Sequence, residues 1–251
     1  MPAHIDPSKL SVSQFAERFR ADMISLGSKF SYYCASLPWG DDDMRDYLEE
    51  PISALPPAIS AQLPRTSILL VPYISKSKPG DIVSMEKPPE DKLVYTAQVK
   101  VGSETIIAFG LKDQEVAEYH YRFYNQIATM IADRSMKPGT QELNLPQFVS
   151  LVRDELVGQV HGEVDEESWR AKQAIVRRTG KVRTDGKPFH TYARHSFIDT
   201  LTLYLHGICC DIDVDAGPRQ LPSRFLRKRL LALREYFPPP QGFAVLPEDM
   251  K

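Results

Sequence analysis

Residues 93–111 read LVYTAQVKVGSETIIAFGL. Leu93, Tyr95, Ala97, Val99 and Val101 alternate with Val94, Thr96, Gln98 and Lys100. A period of two puts successive side chains on opposite faces and predicts a strand with one wetter side. Gly102-Ser103 then turns the chain, and 105–111 returns as the second arm of a hairpin. Residues 66–75 (TSILLVPYIS) read as a further strand. Together these runs predict a small antiparallel sheet of about three strands.

Working outward toward the N-terminus, 76–91 is polar, holds Pro79, Pro88 and Pro89, and reads as a long loop. Residues 51–64 hold four prolines and read as a semi-rigid connector. Before it lies an acidic patch of Asp41, Asp42, Asp43, Asp46, Glu49 and Glu50. In 11–37, Val12, Phe15, Phe19, Met23, Leu26, Phe30, Tyr33 and Leu37 recur at steps of three or four. That spacing predicts one long N-terminal helix, opened by a Ser11/Gln14 capping box and stopped by Pro38 and Gly40.

Toward the C-terminus the chain reads as helical over 115–134, 146–160, 166–179, 192–209 and 223–237. The order of helix, small sheet and helices predicts an α+β fold. The expected organisation is 1–111 as helix plus sheet, and 112–251 as a helical region packed on the same core. Alternating βαβ units, G-x-G-x-x-G and G-x-x-x-x-G-K-[ST] are absent, which argues against a dinucleotide or P-loop site.

Composition narrows the classes further. The 251 residues are 42% hydrophobic and 25% charged with a net charge of −2, as in an ordinary globular chain. Three cysteines, two of them adjacent (Cys209 and Cys210), fit neither a disulfide framework nor a zinc knuckle. The first residues lack the basic and apolar regions of a secretory signal, and no stretch is apolar for the roughly 20 residues a bilayer span needs. The expected location is cytoplasmic, away from membranes.

Charge is uneven along the chain. Residues 1–150 carry 15 basic and 19 acidic side chains, and 151–251 carry 16 and 14. Within 169–194 lie Arg170, Lys172, Arg177, Arg178, Lys181, Arg183, Lys187 and Arg194, with Asp185 the one acid. Such a segment suits a solvated face, an acidic protein partner or nucleic-acid phosphates.

Helical wheels single out several polar residues. His120 falls in the apolar stripe of 115–134, as a general base or as a core histidine with a hydrogen-bond partner. His195, Asp199, Thr202 and His206 share an arc of about 60°. With His190 and Asp211 nearby, His190, His195, Asp199 and His206 make a candidate site for a divalent metal such as Zn or Mn. The same stripe also suits the polar face of an amphipathic helix. Arg229 projects from the apolar face of 223–237, as an internal ion pair, a snorkelling side chain or a partner contact. Asp211, Asp213 and Asp215 lack the Gly and Glu spacing of a calcium loop.

Three functions stay open on these residues. One is a non-catalytic, cofactor-free protein-interaction or regulatory protein. Its basic surface would use Arg170, Arg177, Arg178, Lys181, Arg183, Lys187 and Arg229. Another is a metal-dependent hydrolase built on the His/Asp stripe, and the third is nucleic-acid binding through 170–194.

Overall fold

A computed structural model describes residues 10–35, 39–177, 183–210 and 219–245. Two compact units emerge. One comprises the described residues up to Leu48 together with Leu63–Arg122, and the other comprises Glu49–Gln62 together with Phe123 onward.

The first unit corrects the expected N-terminal helix. Helix α1 covers only Val12–Arg18, followed by strands β1 (Ile24–Leu26) and β2 (Phe30–Cys34). The capping box does form, with Gln14 N donating to Ser11 Oγ at 3.3 Å and Ser11 N to Gln14 Oε1 at 3.0 Å. Beyond the helix, Gly27 turns the chain back on itself. It adopts φ +74° between β1 and β2, a left-handed turn open to glycine and disfavoured for other residues. The apolar residues that mimic a helical stripe do gather, but by folding back. The Phe19 ring lies 4.6 Å from Phe15 within the helix and stacks on Tyr33 of β2 at the same distance.

The sheet is larger and more mixed than three antiparallel strands. Strands β3 (Thr66–Val71), β4 (Tyr73–Ser75), β5 (Ile82–Ser84), β6 (Leu93–Val94), β7 (Thr96–Val101) and β8 (Glu104–Gly110) complete it. The five-stranded sheet runs β1-β2-β3-β8-β7, and a three-stranded one runs β5-β4-β6. The β7–β8 hairpin is antiparallel, but β2–β3 and β3–β8 are parallel. The runs 66–75 and 93–101 each change sheets part-way, at Pro72 and Tyr95, so each gives two strands. Part of the expected loop 76–91 is β5, which pairs with β4. The α+β class stands, and the long helix and three-stranded sheet do not.

Strand β3 is buried along its whole length, as expected for a parallel strand covered on both faces. Leu69, Val71, Ile106 and Ala108 pack with Val12, Phe15 and Ala16 of α1. Helix α2 (Asp41–Met44) begins the acidic patch, and helix α5 (Val116–Arg134) contributes its first turns to this unit. There His120 is buried, with Nε2 2.5 Å from the Asp46 carbonyl. That contact gives the core-histidine reading its main-chain partner.

In the second unit, most of the proline-rich run expected as a semi-rigid connector is helical, as far as Gln62. Short helices α3 (Glu50–Ser53) and α4 (Pro57–Gln62) occupy it, with Pro51 in the first turn of α3, where its missing N–H is no loss. Tyr124 of α5 donates to the Pro51 carbonyl at 3.1 Å. Helices α6 (Pro146–Val157), α7 (Glu166–Val176), α8 (Lys187–Cys209) and α9 (Ser223–Tyr236) follow. Every residue from Ser196 to Thr202 of α8 is buried, so this stretch of the helix is covered all round. Phe197 of α8 meets Phe148 of α6 edge-on at 5.5 Å, and Tyr204 donates to the Phe237 carbonyl at 2.6 Å. Among the described residues, no helix is long and apolar enough to cross a membrane.

Candidate functional site

The chemically densest part of the second unit is a buried charge cluster centred on Arg229. Its side chain has no solvent exposure. All five guanidinium N–H groups are used. Nε donates to Glu155 Oε2 at 2.9 Å, and Nη1 donates to Glu163 Oε2 at 2.8 Å and to Ser196 Oγ at 2.7 Å. Nη2 donates to Glu163 Oε1 at 3.1 Å and to Glu155 Oε2. Lys172 adds a second cation, donating to Glu163 Oε1 at 3.1 Å and to the Gly162 carbonyl at 2.7 Å. The Tyr192 hydroxyl also donates to Glu163.

Two cations and two carboxylates balance, which is what burial at this depth demands. The two carboxylates are not equivalent. Burial pushes the Glu155 carboxyl up, its Oε2 alone meets Arg229, and its Oε1 is buried with no hydrogen-bond partner among the described residues. Burial also acts on Glu163, but Arg229, Lys172 and Tyr192 together outweigh it and hold its carboxyl below the usual range. Of the three readings of Arg229, the internal ion pair is the one found.

Glu163 reaches this position because the chain before α7 pairs with the chain before α9. Glu163 N donates to Arg219 O at 2.9 Å, and Leu221 N donates to Glu163 O at 3.0 Å. Gly162 permits the approach. It has φ +84°, and a Cβ there would lie 2.1 Å from the Gln220 carbonyl oxygen. Glu155 and Lys172 were findable by the wheel that exposes Arg229. Glu155 shares the buried side of α6 with Phe148, Val152 and Leu156, and Lys172 that of α7 with Ser168 and Ile175. Glu163 lies between helices, where no periodicity could flag it.

The metal candidates do not converge. Asp199 is buried, and its Oδ2 accepts from Ser168 N at 2.9 Å. Ser168 is the third residue of α7, after the Asp165 cap, so the carboxylate serves a free amide at the positive end of that helix. Burial, assisted by Asp165 and Glu163, pushes Asp199 up to about 6 against the opposing Ser168 hydrogen bonds. His190 Nε2 stands 3.5 Å from Glu142 Oε1. His195 is half-buried and, by burial first and Arg194 second, is shifted down. The His206 ring lies 6.2 Å from that of Tyr124. Among the described residues, no three of these four lie within reach of one ion. Nor is their stripe a solvent face, since Asp199 and Thr202 are both buried. Thr202 bonds back to the Ile198 carbonyl at 2.8 Å instead. Asp211, Asp213 and Asp215 lie outside the described residues.

His190 does line a cleft of about 400 Å³ with Lys137, Glu142, Arg153 and Asp185. Its glutamate is already paired. Glu142 meets Lys137 at 2.8 Å as well as His190, and Lys137 holds its carboxyl below the usual range.

The basic segment is less available than its composition suggests. Arg170 pairs with Glu166 and Glu167, Arg183 with Asp185, and Arg194 with Asp133. Lys172 is interior. Arg177 and Lys187 are exposed, and Arg178 and Lys181 lie outside the described residues. A denser run of cations lies on and just before α9. Residues 219–234 contain Arg219, Arg224, Arg227, Lys228, Arg229 and Arg234 and no acid. Leu226, Arg229, Ala232 and Leu233 face inward, while Arg224, Arg227 and Lys228 are exposed. Arg224 and Lys228 lie over the half-buried Phe225 ring at 4.7 and 5.8 Å and have no carboxylate partner among the described residues.

Compared with known protein families, curated proteins and solved structures, the chain matches none of them.

Proposed function

We propose that this is a non-catalytic interaction protein whose basic surface in the C-terminal half engages an acidic protein. The observation that carries the reading is the outer face of α9. Arg224 and Lys228 lie over a half-buried phenylalanine, and Arg227 is also exposed, on a helix without a single acid before Glu235. Cations around an apolar anchor match the make-up of protein interfaces, where an aromatic or guanidinium supplies affinity and rim charges supply on-rate and selectivity. Arg177 and Lys187 are further exposed cations of the same unit. The chain's net charge of −2 favours a protein over nucleic acid, whose binders are usually basic throughout. The buried Arg229 fits this reading as the bolt that fixes α9, not as a contact.

The test is fluorescence anisotropy with a labelled, glutamate-rich peptide containing leucine and tryptophan. The paired reversal Arg224→Glu with Lys228→Glu should weaken binding by about tenfold or more, with unchanged thermal unfolding. Equal affinity before and after the reversal would remove α9 from the reading. Tight, steeply salt-dependent binding of duplex DNA with none of the peptide would replace it with a nucleic-acid interface.

A further inference from the structure

The first unit holds a polar pocket. At the head of β2, β3 and β8, a cavity of about 330 Å³ is lined by the hydroxyl-bearing residues Ser25, Ser28, Ser31 and Thr66. Lys29, Arg65 and Glu104 supply its charges. The volume is within the range of small-molecule sites. The β1–β2 turn at Gly27 forms part of its wall.

Following the hydroxyl protons shows what the pocket offers. The Ser25 hydroxyl donates to the Gly27 carbonyl at 3.1 Å, and the Thr66 hydroxyl donates to the Pro64 carbonyl at 3.1 Å. The Ser67 hydroxyl donates to the Glu104 carboxylate. The 2.6 Å contact between Ser31 and Ser67 therefore has Ser31 as donor. Ser25, Thr66 and Ser31 have thus committed their protons to the protein and keep only lone pairs. Lone pairs of this kind receive hydroxyl protons from a ligand.

The cations ask for something else. Lys29 uses one N–H on the Leu63 carbonyl at 2.9 Å, which leaves two. Arg65 is exposed and has no carboxylate partner among the described residues. Glu104 does not cancel them, because its Oε2 is held by Arg20 at 3.2 Å and its Oε1 by Ser67. A guanidinium and an ammonium lining one pocket suit a phosphate or carboxylate.

We propose that this pocket binds an anionic polyol: a sugar-like molecule with several hydroxyls and one phosphate or carboxylate group. Lys29 and Arg65 take the anion. Ser25, Ser31 and Thr66 accept from the hydroxyls. The site is separate from α9, and its test is independent of the acidic-partner reading.

Isothermal titration of the full chain with glucose 6-phosphate, gluconate, inorganic phosphate and glucose decides the matter. One saturable site per chain is expected for glucose 6-phosphate or gluconate, at least about tenfold tighter than for inorganic phosphate or glucose. Which of the two binds better distinguishes a phosphate from a carboxylate anchor. Arg65→Ala should weaken that ligand about tenfold, and Ser25→Ala should weaken it while sparing inorganic phosphate. Both side chains are exposed, so both variants should fold, and Arg224→Ala on α9 should leave the titration unchanged. No saturable heat from either polyol up to about 10 mM would overturn the proposal. So would binding that Arg65→Ala leaves intact.

Discussion

Replacing Asp199 by Asn should make the protein more stable at neutral pH, although it removes a buried hydrogen-bonding carboxylate. Asp199 is 3% exposed, and its folded value is about 6 against an ordinary 3.8. Between those two values the folded chain keeps a proton that the unfolded chain has released. Unfolding then sheds protons, so stability falls as pH rises. The contribution is whole below 3.8 and is lost as pH climbs through 6. That gap corresponds to about 3 kcal/mol between pH 4 and pH 7. Asparagine keeps an oxygen to accept from Ser168 N and carries no charge to desolvate. The check is urea unfolding of wild type and Asp199→Asn at half-unit steps across that range. The two stabilities should nearly coincide near pH 4 and diverge to about 2–3 kcal/mol in favour of the variant by pH 7. A difference independent of pH would refute the reasoning. So would a variant that loses ground as pH rises, which would mean that the carboxylate is favoured in its charged form at the head of α7.

The two buried glutamates should respond differently to the same change. Glu163→Gln, which disarms the carboxylate shared by Arg229, Lys172 and Tyr192, should lower unfolding stability by about 3–5 kcal/mol. Glu155→Gln should cost about 1 kcal/mol by the same measurement, because burial already opposes its charge. Gly162→Ala combines φ +84° with a Cβ 2.1 Å from Gln220 O, so a loss of at least about 3 kcal/mol is expected in urea titration. Gly27→Ala has φ +74° but open space around the new Cβ, and should cost only about 1 kcal/mol.

Local chemistry along the chain determines a good part of this protein. The Ser11/Gln14 box, the β7–β8 hairpin around Gly102, the amphipathic helices and the oddity of Arg229 are set by neighbours in sequence. They follow from side-chain periodicity and turn chemistry alone. The run 11–37 marks the limit. Apolar residues three or four apart stack on a helix, but Phe15, Phe19 and Tyr33 meet as well across a turn at Gly27, and only long-range packing selects the second arrangement. Parallel pairing of β2, β3 and β8 likewise joins segments far apart in the chain, which no local pattern encodes. Tertiary structure also decided what the singled-out side chains do. It buried Asp199 and Thr202 on a helix covered from all sides, and it brought Glu155, Glu163 and Lys172 to Arg229. It paired Arg170, Lys172, Arg183 and Arg194 of the basic segment with carboxylates and left Arg224, Arg227 and Lys228 of α9 exposed. The physical reason is that a charge takes its meaning from its desolvation and its partners, and both are properties of the packed chain.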